Sequence, residues 1–423
     1  MRRFTAVLAR RLLATAAAAS LLAGGSVAVA PAAQAAPPPI GAGLFGLHVN
    51  DLVGHYPTVP FGTVRLWDAG VSWRDLEPSP GKWDFSRLDA HVARAAKGRK
   101  DVVMVLGVTP LWASKRPLED GNYGQGSAAE PKDLRTWRAY VRKLAIRYKG
   151  KITKWELYNE PNAKLMFSGQ PGTMVTMAQQ AWIELKAVSA GNFVISPGVV
   201  TRTTNSPKWL DTYLQLGGSR YANAIGAHFY VKARERPEDT LRYLAIIRAI
   251  MRARGVSHLP LWNTESGYGR WNPTDPSTHE VYAGTISQAY VARTYVLMAA
   301  GGVARSYWYG WDQRHYTGLY LTVDGRRAGP AGTAYGVTYN WLVGATMLGC
   351  TKRMSGALAG GYSCDLTRGA TRMRILWHPD GNRSTTMANG FRSLSRLDGT
   401  KVRVDDNTRF IVGPSPVLIT TAF

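Results

Sequence analysis

Residues 152–161 read Ile-Thr-Lys-Trp-Glu-Leu-Tyr-Asn-Glu-Pro, a short apolar run with a carboxylate at its end. The run predicts a β-strand ending near Tyr158, and Pro161 stops it because proline has no backbone N–H to donate. Residues 259–267, Leu-Pro-Leu-Trp-Asn-Thr-Glu-Ser-Gly, repeat this arrangement around Glu265. A glutamate at such a strand end is expected in a cleft rather than in a core, and two such strands can hold two carboxyl groups across one bond.

Around these two segments, apolar β-branched runs alternate with segments of helical periodicity. The eight predicted strands are Leu44–Val49, Thr63–Trp67, Val102–Val108, Ile152–Tyr158, Phe193–Ser196, Ala224–Tyr230, Leu259–Thr264 and Ala304–Trp308. The predicted helices are Phe85–Lys97, Leu134–Tyr148, Met174–Ser189, Pro207–Leu216, Thr240–Arg254 and Glu280–Ala300. Eight repeats over about 300 residues fit a closed α/β barrel, the (β/α)8 TIM barrel, whose active site lies at the C-terminal strand ends. An open doubly wound sheet is the rival, but residues 46–51 lack its usual glycine-rich turn.

The pattern changes after Trp341, where helical periodicity fades. Short alternating runs follow, at Met373–Trp377, Ser384–Ala388, Lys401–Val404, Arg409–Val412 and Val417–Thr420, with turn signals between them. These runs predict a small antiparallel β domain. We therefore expect residues 40–345 to form the catalytic barrel and residues 346–423 a small β-rich domain. That domain either binds carbohydrate or, as we favour, packs on the barrel as a structural unit.

Residues 1–36 have the composition of a secretory signal peptide. Four arginines precede an apolar stretch of small residues, and Ala-Gln-Ala at 33–35 is a cleavage-type tripeptide. We expect a secreted protein, exported by the Sec or, given the paired arginines, the twin-arginine route. No later stretch is apolar for long enough to span a bilayer, so no membrane anchor is expected.

The two cysteines, Cys350 and Cys364, favour a disulfide because export favours oxidation. Two free buried thiols are the alternative. With no other cysteine in the chain, a cysteine-based zinc site is excluded.

The formal net charge of +24 raises nucleic acids, anionic envelopes and acidic polysaccharides as partners. The basic residues are scattered through the chain, without a run of five or six and without a nucleic-acid-binding motif. We therefore expect no nucleic-acid partner and interpret the charge first as composition, and second as adhesion to an anionic surface or substrate.

The strand-end glutamates suit glycoside hydrolysis, in which two carboxyl groups flank the scissile bond. On the predicted barrel, Glu160 ends the fourth strand and Glu265 the seventh. Asn159 can hydrogen-bond a sugar hydroxyl, which favours its neighbour Glu160 as the acid/base and Glu265 as the nucleophile. This chemistry needs neither a metal nor an organic cofactor, and we expect none.

Two strand residues are candidates for holding the nucleophile. Arg65 on the second strand and Tyr230 at the end of the sixth can both donate to a carboxylate. His228 lies two residues before Tyr230 and shares its face. The alternatives are a buried ion pair of Arg65 with Asp68 or Asp89, and a core role for His228.

The motifs resemble those of the clan A glycoside hydrolases, retaining (β/α)8 enzymes with acid/base and nucleophile glutamates on strands four and seven. Residues 158–161, Tyr-Asn-Glu-Pro, match the clan's strand-four motif, and residues 264–267, Thr-Glu-Ser-Gly, are similar to its strand-seven motif. Arg65 and residues 228–230 match its nucleophile-supporting positions.

The resemblance covers roughly residues 44–345 and extends to finer positions. It implies that Trp308 or Trp311, after the eighth strand, is similar to the tryptophan that forms the sugar platform. The small β domain and His48 on the first strand make family 39 the closest likeness within the clan, with family 5 next.

Cations recur in the predicted strand-end loops, at Arg74, Lys115, Lys164, Arg202, Lys232, Arg234, Arg270 and Arg314. Such a rim can recognise acidic sugars, although an arginine-rich chain also places arginine everywhere, and we favour that simpler interpretation. Trp112, Trp271 and Tyr123 in the same loops are candidate stacking platforms for sugars or loop-packing residues.

The sequence thus predicts a secreted, monomeric, retaining glycoside hydrolase that acts on a poly- or oligosaccharide by double displacement. A glycan-binding barrel that has lost hydrolysis and docks on anionic cell-surface polysaccharide is the alternative. The presence of both glutamates with Asn159 and Arg65 argues against it.

Overall fold

A parallel sheet curls into a barrel at the centre of the described chain. The structure is a computed structural model that describes residues 37–270, 279–313 and 315–423, so the predicted signal peptide, Trp271 and Arg314 lie outside the described residues. The strands of this sheet are β1 Phe45–His48, β2 Thr63–Leu66, β3 Asp101–Val105, β4 Lys154–Glu156, β5 Phe193–Ile195, β6 Val199–Val200, β7 Ile225–His228, β8 Leu261–Ser266 and β9 Arg305–Trp308. Their hydrogen-bonded order is β5-β4-β3-β2-β1-β9-β8-β7-β6.

The barrel closes at its fifth strand position. β5 and β6 are two halves of one strand, interrupted by the proline–glycine pair at 197–198. Ser196 N donates to Ala224 O at 2.9 Å, which joins the end of β5 to the start of β7. Counted this way, β4 is the fourth barrel strand and β8 the seventh. The predicted (β/α)8 fold class is confirmed.

The described helices are α1 Trp73–Leu76, α2 Ser86–Lys97, α3 Leu134–Arg147, α4 Pro171–Val188, α5 Ser206–Gln215, α6 Thr240–Ala253, α7 Gly284–Ala300 and α8 Pro330–Leu342. The six predicted helices are all present, with ends shifted by a few residues. The single turn α1 was not predicted, and neither was α8. Most of its side chains are buried, so its sequence lacks the polar stripe by which a surface helix is recognised.

A β domain follows the barrel. Its strands are β10 Thr346–Lys352, β11 Tyr362–Arg368, β12 Thr371–Trp377, β13 Arg383–Thr386, β14 Ser393–Ser395, β15 Lys401–Arg403, β16 Arg409–Val412 and β17 Val417–Thr420. Six of them form an antiparallel sheet in the order β10-β11-β12-β17-β14-β15, and β13 pairs with β16. A disulfide between Cys350 and Cys364 joins facing residues of β10 and β11, as predicted.

Both faces of this six-stranded sheet carry buried apolar side chains. Successive side chains of a strand point to opposite faces, so a single strand contributes to two apolar clusters. In β12, Ile375 and Trp377 belong to the core shared with the barrel, whereas Leu376 belongs to a separate cluster with Phe410. Trp377 Nε1 also donates at 2.7 Å to Oε1 of Glu238, a barrel residue that lies just before α6. Residues 37–423 accordingly form one compact unit, with the β domain packed on the barrel.

Within the described ranges, no helix combines the length and the apolar character that crossing a bilayer requires.

Candidate active site

Glu160 and Glu265 line one cavity of about 330 Å³ at the C-terminal end of the barrel. Glu160 follows β4 in a left-handed conformation, with φ of 46°, and its N–H donates to Gly198 O at 2.8 Å. Glu265 lies within β8, which runs two residues further than predicted. One side-chain oxygen of each glutamate and one ring nitrogen of His228 lie within 4.8 Å of one another. The fold therefore brings the two predicted carboxylates together.

Arg65 organises the floor of this site. It is fully buried, and its guanidinium donates to three side chains at 2.7 Å each: Nε to Glu156 Oε2, Nη1 to Glu265 Oε2 and Nη2 to Asn159 Oδ1. Because Arg65 occupies Oδ1 of Asn159, the amide nitrogen of Asn159 remains as a donor toward a ligand.

The alternative ion pair of Arg65 with Asp68 or Asp89 is wrong. Asp89 pairs with Arg147, and Asp68 accepts from two tyrosines. The buried partner of Arg65 that was not predicted from the sequence is Glu156.

Glu156 lies on β4, fully buried, four residues before Glu160. Burial raises the pKa of Glu156, but the charge of Arg65 and the contacts with His228 outweigh burial and lower it. Thr264 Oγ1 donates to its other oxygen at 2.9 Å. The sequence did contain a signal for Glu156, because an inward-facing arginine in a closed barrel requires an inward-facing carboxylate as its partner.

The two oxygens of Glu265 are held from different sides. Arg65 donates to Oε2, and the Tyr230 hydroxyl donates to Oε1 at 2.7 Å. Burial raises the pKa of Glu265, against the opposing charges of His228 and Arg65. Tyr230 and Arg65 thus both contact Glu265, the predicted nucleophile.

His228 is fully buried, and its Nδ1 donates to Glu160 Oε1 at 2.9 Å. Burial lowers the pKa of His228, but the charge of Glu265 and the hydrogen bonds to Glu156 and Glu160 outweigh burial and raise the pKa to about 9. The imidazole is therefore charged at neutral pH. Because a charged imidazole carries a proton on each ring nitrogen, His228 acts as a hydrogen-bond donor toward the carboxylates of this cluster.

Gly198, in the break between β5 and β6, leaves the room that this network needs. A Cβ at this position would overlap Glu156 Oε1 and His228 Nε2. The interrupted fifth strand is thus a feature of the site itself.

His48 contacts two residues that line the cavity, Trp67 and Tyr309. Its Nε2 donates to Trp67 O at 2.5 Å, and its ring lies edge-on to Tyr309 with centroids 4.4 Å apart. Burial and the charge of Arg65 hold the pKa of His48 well below 6.5, so it is the neutral histidine of the pair.

The predicted platform residues Trp308 and Trp311 do not line this cavity. Trp308 and Trp311 are both fully buried in the core, and Trp308 packs against Tyr268 and Tyr295. Strand alternation is the reason: the neighbouring residue Tyr307 joins the barrel-interior cluster, so Trp308 faces the helices instead. The aromatic residues that line the cavity are Trp67, Tyr123, Tyr230, Tyr309 and Tyr316.

Trp112 also lies outside the cavity wall. It is half-buried, its Nε1 donates to Glu77 O at 2.8 Å, and its ring packs edge-on against Trp73. Trp112 is therefore a loop-packing residue in this structure.

Some of the cations in the predicted strand-end loops lie close to an acidic or aromatic side chain that partly offsets their charge. Lys115 pairs with Glu130 at 3.1 Å, and the Arg202 guanidinium lies 4.8 Å from the ring centroid of Tyr230. A neighbouring cavity of about 610 Å³ is lined by charges of both signs, from Arg202, Lys232, Arg270, Glu235 and Glu280.

Comparison with known proteins gives one family match. Residues 133–335 match the model of the glycosyl hydrolase catalytic core. Among curated proteins, the chain is similar to endo-1,4-β-xylanase C of Paenibacillus barcinonensis, with 28% identity over 116 residues. That stretch is 27% of this chain and only 10% of the xylanase.

Solved structures share the fold over nearly the whole described chain. A family 39 glycoside hydrolase from Bacteroides cellulosilyticus WH2 has a TM-score of 0.66 at 16% identity, covering 90% of this chain and 82% of that one. A monomeric β-xylosidase from Caulobacter crescentus CB15 has a TM-score of 0.65 at 15% identity, covering 91% and 97%. A family 30 subfamily 8 xylanase from Clostridium acetobutylicum has a TM-score of 0.60 at 15% identity, covering 91% and 97%. The resemblance to the clan A enzymes is thereby confirmed for the fold, and the residues that match the glycosyl hydrolase catalytic core include Glu160 and Glu265.

Proposed function

We propose that this protein is a glycoside hydrolase that cleaves O-glycosidic bonds of an oligo- or polysaccharide with retention of configuration, using Glu265 as nucleophile and Glu160 as acid/base. The observation that carries the proposal is the approach of the two carboxylates, which bring oxygens within 4.8 Å of each other. Retaining enzymes hold the two carboxyl groups about 5–5.5 Å apart, whereas inverting enzymes leave about 6.5–9.5 Å for a water molecule.

In the first step, an oxygen of Glu265 forms a bond to the anomeric carbon as the glycosidic C–O bond breaks. Glu160 gives its proton to the departing oxygen and becomes a carboxylate. His228 supports that change, because its charged ring donates to Glu160 Oε1 at 2.9 Å and stabilises the new negative charge. Asn159, oriented by Arg65, is placed to donate to a sugar hydroxyl.

In the second step, Glu160 takes a proton from a water molecule whose oxygen attacks the anomeric carbon. The bond to Glu265 breaks, and its electron pair returns to the carboxylate. Arg65 and Tyr230 stabilise the leaving carboxylate, since each donates to one of its oxygens at 2.7 Å. The second displacement restores the original anomeric configuration.

The substrate class is proposed from the named relatives. The similar proteins include an endo-1,4-β-xylanase and a β-xylosidase. We therefore propose xylan-type polysaccharides and aryl β-D-xylosides as the first substrates to test, beside other polysaccharides and aryl glycosides.

Azide rescue tests the two roles. Glu160→Ala should still form the glycosyl-enzyme from an aryl glycoside with a good leaving group, and azide should restore turnover with a retained glycosyl azide. Glu265→Gly should give the inverted azide instead. The proposal fails if Glu265→Gln keeps wild-type turnover, or if both azide products have the same configuration.

Stability is the control for these variants. Because burial raises the pKa of Glu265, its ionised form costs free energy in the folded state at neutral pH. Thermal melting of Glu265→Gln is therefore recorded beside the wild type, and loss of activity at an unchanged melting temperature would assign the loss to the chemistry.

We further propose that the protein is exported and acts outside the cell as a monomer. The signal-like composition of residues 1–36 and the disulfide Cys350–Cys364 support export. Intact mass and sedimentation of protein from the culture medium test this. A mature chain starting near residue 37 with monomer mass is expected, and an uncleaved, cell-retained chain would contradict the proposal.

A further inference from the structure

A third carboxylate, Asp68, lines the catalytic cavity and takes no part in the proposed mechanism. It follows β2 directly and adopts a left-handed conformation with φ of 52°, which is uncommon outside glycine and asparagine-like residues. Asp68 is half-buried, so part of it remains open to the cavity that Glu160 and Glu265 share.

Two tyrosines from different parts of the barrel fix the Asp68 carboxylate. The Tyr123 hydroxyl, from the loop between β3 and α3, donates to Oδ1 at 2.5 Å. The Tyr309 hydroxyl, directly after β9, donates to Oδ2 at 2.8 Å and itself accepts from Gln313 Nε2 at 3.2 Å. The carboxylate is thus held before any ligand binds.

Asp68 differs from the other carboxylates of the site in its partners. Glu156, Glu160 and Glu265 each lie within ion-pair distance of Arg65 or His228. No Lys, Arg or His among the described residues forms an ion pair with Asp68. Burial raises its pKa, and the hydrogen bonds from the two tyrosines partly offset that effect.

The acceptor capacity of Asp68 is only half used. An ionised carboxylate offers about four acceptor positions, and the tyrosines fill two. Unfilled acceptors on a half-buried charge are costly, and hydroxyl donors are the groups that fill them without adding charge. Neighbouring hydroxyls of a sugar ring supply two such donors at once.

We propose that Asp68 is a specificity-determining residue that accepts hydrogen bonds from two neighbouring hydroxyl groups of a neutral sugar unit bound beside Glu160 and Glu265. The inference rests on the proposed function, since it concerns the sugar that those glutamates attack. The sugar unit in this cavity is of the uncharged class, because an acidic sugar would place a second negative charge beside Asp68.

The test compares Asp68→Asn with the wild type on p-nitrophenyl β-D-xyloside, or on the neutral aryl glycoside cleaved fastest, and on its monodeoxy analogues. A hydrogen bond to a charged group predicts a loss in kcat/KM of about 10- to 100-fold for Asp68→Asn on the parent glycoside. On the analogue that lacks a contacted hydroxyl, the wild type should already be slowed, and Asp68→Asn should add little further loss.

Tyr123→Phe is the matched control, because it removes one anchor and keeps the carboxylate. It should slow the parent and the analogues by the same factor. Asp68→Glu is a second variant that keeps the charge but displaces the oxygens, and it should show the same analogue-dependent loss as Asp68→Asn.

Equal losses for Asp68→Asn on the parent and on every analogue would overturn the inference and leave Asp68 an anchor for the tyrosines. Unchanged rates in Asp68→Asn, or faster cleavage of an aryl glucuronide than of any neutral aryl glycoside by the wild type, would also overturn it. These outcomes differ from failure of the proposed function, which would appear as wild-type turnover in Glu265→Gln.

Discussion

At the scale of single residues, two histidines in one barrel have opposite charge states for physical reasons. His48 is buried and lies near Arg65, so its pKa falls well below 6.5, although the hydrogen bond to Trp67 O opposes that fall. His228 lies among carboxylates, so its pKa rises to about 9. From the sequence alone both were candidate supporting residues, and no feature of the sequence distinguished them, because their neighbours come from other strands.

The raised pKa of His228 predicts a loss of stability at alkaline pH. Its unfolded value is about 6.5, so the stabilisation is fully present below pH 6.5 and is lost as the pH rises through about 9. The shift corresponds to a loss of about 3 kcal/mol in the free energy of unfolding. Urea unfolding at pH 6.5 and pH 9 measures it, with His228→Gln expected to show a much flatter dependence. Equal wild-type stability at both pH values would refute the charged histidine.

At the scale of elements, the broken fifth strand connects sequence to site. The sequence predicted one strand, Phe193–Ser196, and the structure adds β6 after Pro197 and Gly198. The break was not predicted as part of the site, because the need for glycine arises from Glu156, His228 and Thr264 on other strands of the barrel.

Gly198→Ala should therefore damage the site more than the fold. The added Cβ would displace Glu156 or His228, and misplacement of about 1 Å in a catalytic site costs about 100-fold in rate. Activity assays beside thermal melting check this, with Gly172→Ala in α4 as control, since its Cβ would meet only Leu216 at 3.8 Å. Wild-type activity in Gly198→Ala would show that the site tolerates this side chain.

The disulfide between β10 and β11 is a second feature at this scale. It closes a loop of 14 residues, for which loss of the cross-link is expected to lower the free energy of unfolding by about 3 kcal/mol. Urea unfolding of a Cys350→Ser, Cys364→Ser double variant measures this. Reduced wild type should match the variant, and the variant should not respond to dithiothreitol. A wild type indifferent to reduction would contradict the prediction.

At the scale of the whole molecule, the fold class and the two glutamates were predictable from local patterns. Strand runs ending in Asn-Glu-Pro and Glu-Ser-Gly are local signals, and so are the turn-separated runs from Met373 onward, whereas β10 and β11 were not predicted. Side-chain facing was less predictable, because it depends on strand phase, and the platform prediction for Trp308 failed for that reason, whereas Trp311 lies beyond β9 and is buried in the core. The role of Asp68 depends on Tyr123 and Tyr309, far away in sequence, whereas Glu156 was predictable as the carboxylate that the inward-facing Arg65 requires.

The central claim is that Glu160 and Glu265 act together with retention of configuration. Proton NMR of the first product formed from a cleaved glycoside, recorded before mutarotation, tests it most directly. A retaining mechanism predicts that the first-formed sugar has the same anomeric configuration as the substrate. Accumulation of the opposite anomer first would contradict it and would indicate direct displacement by water.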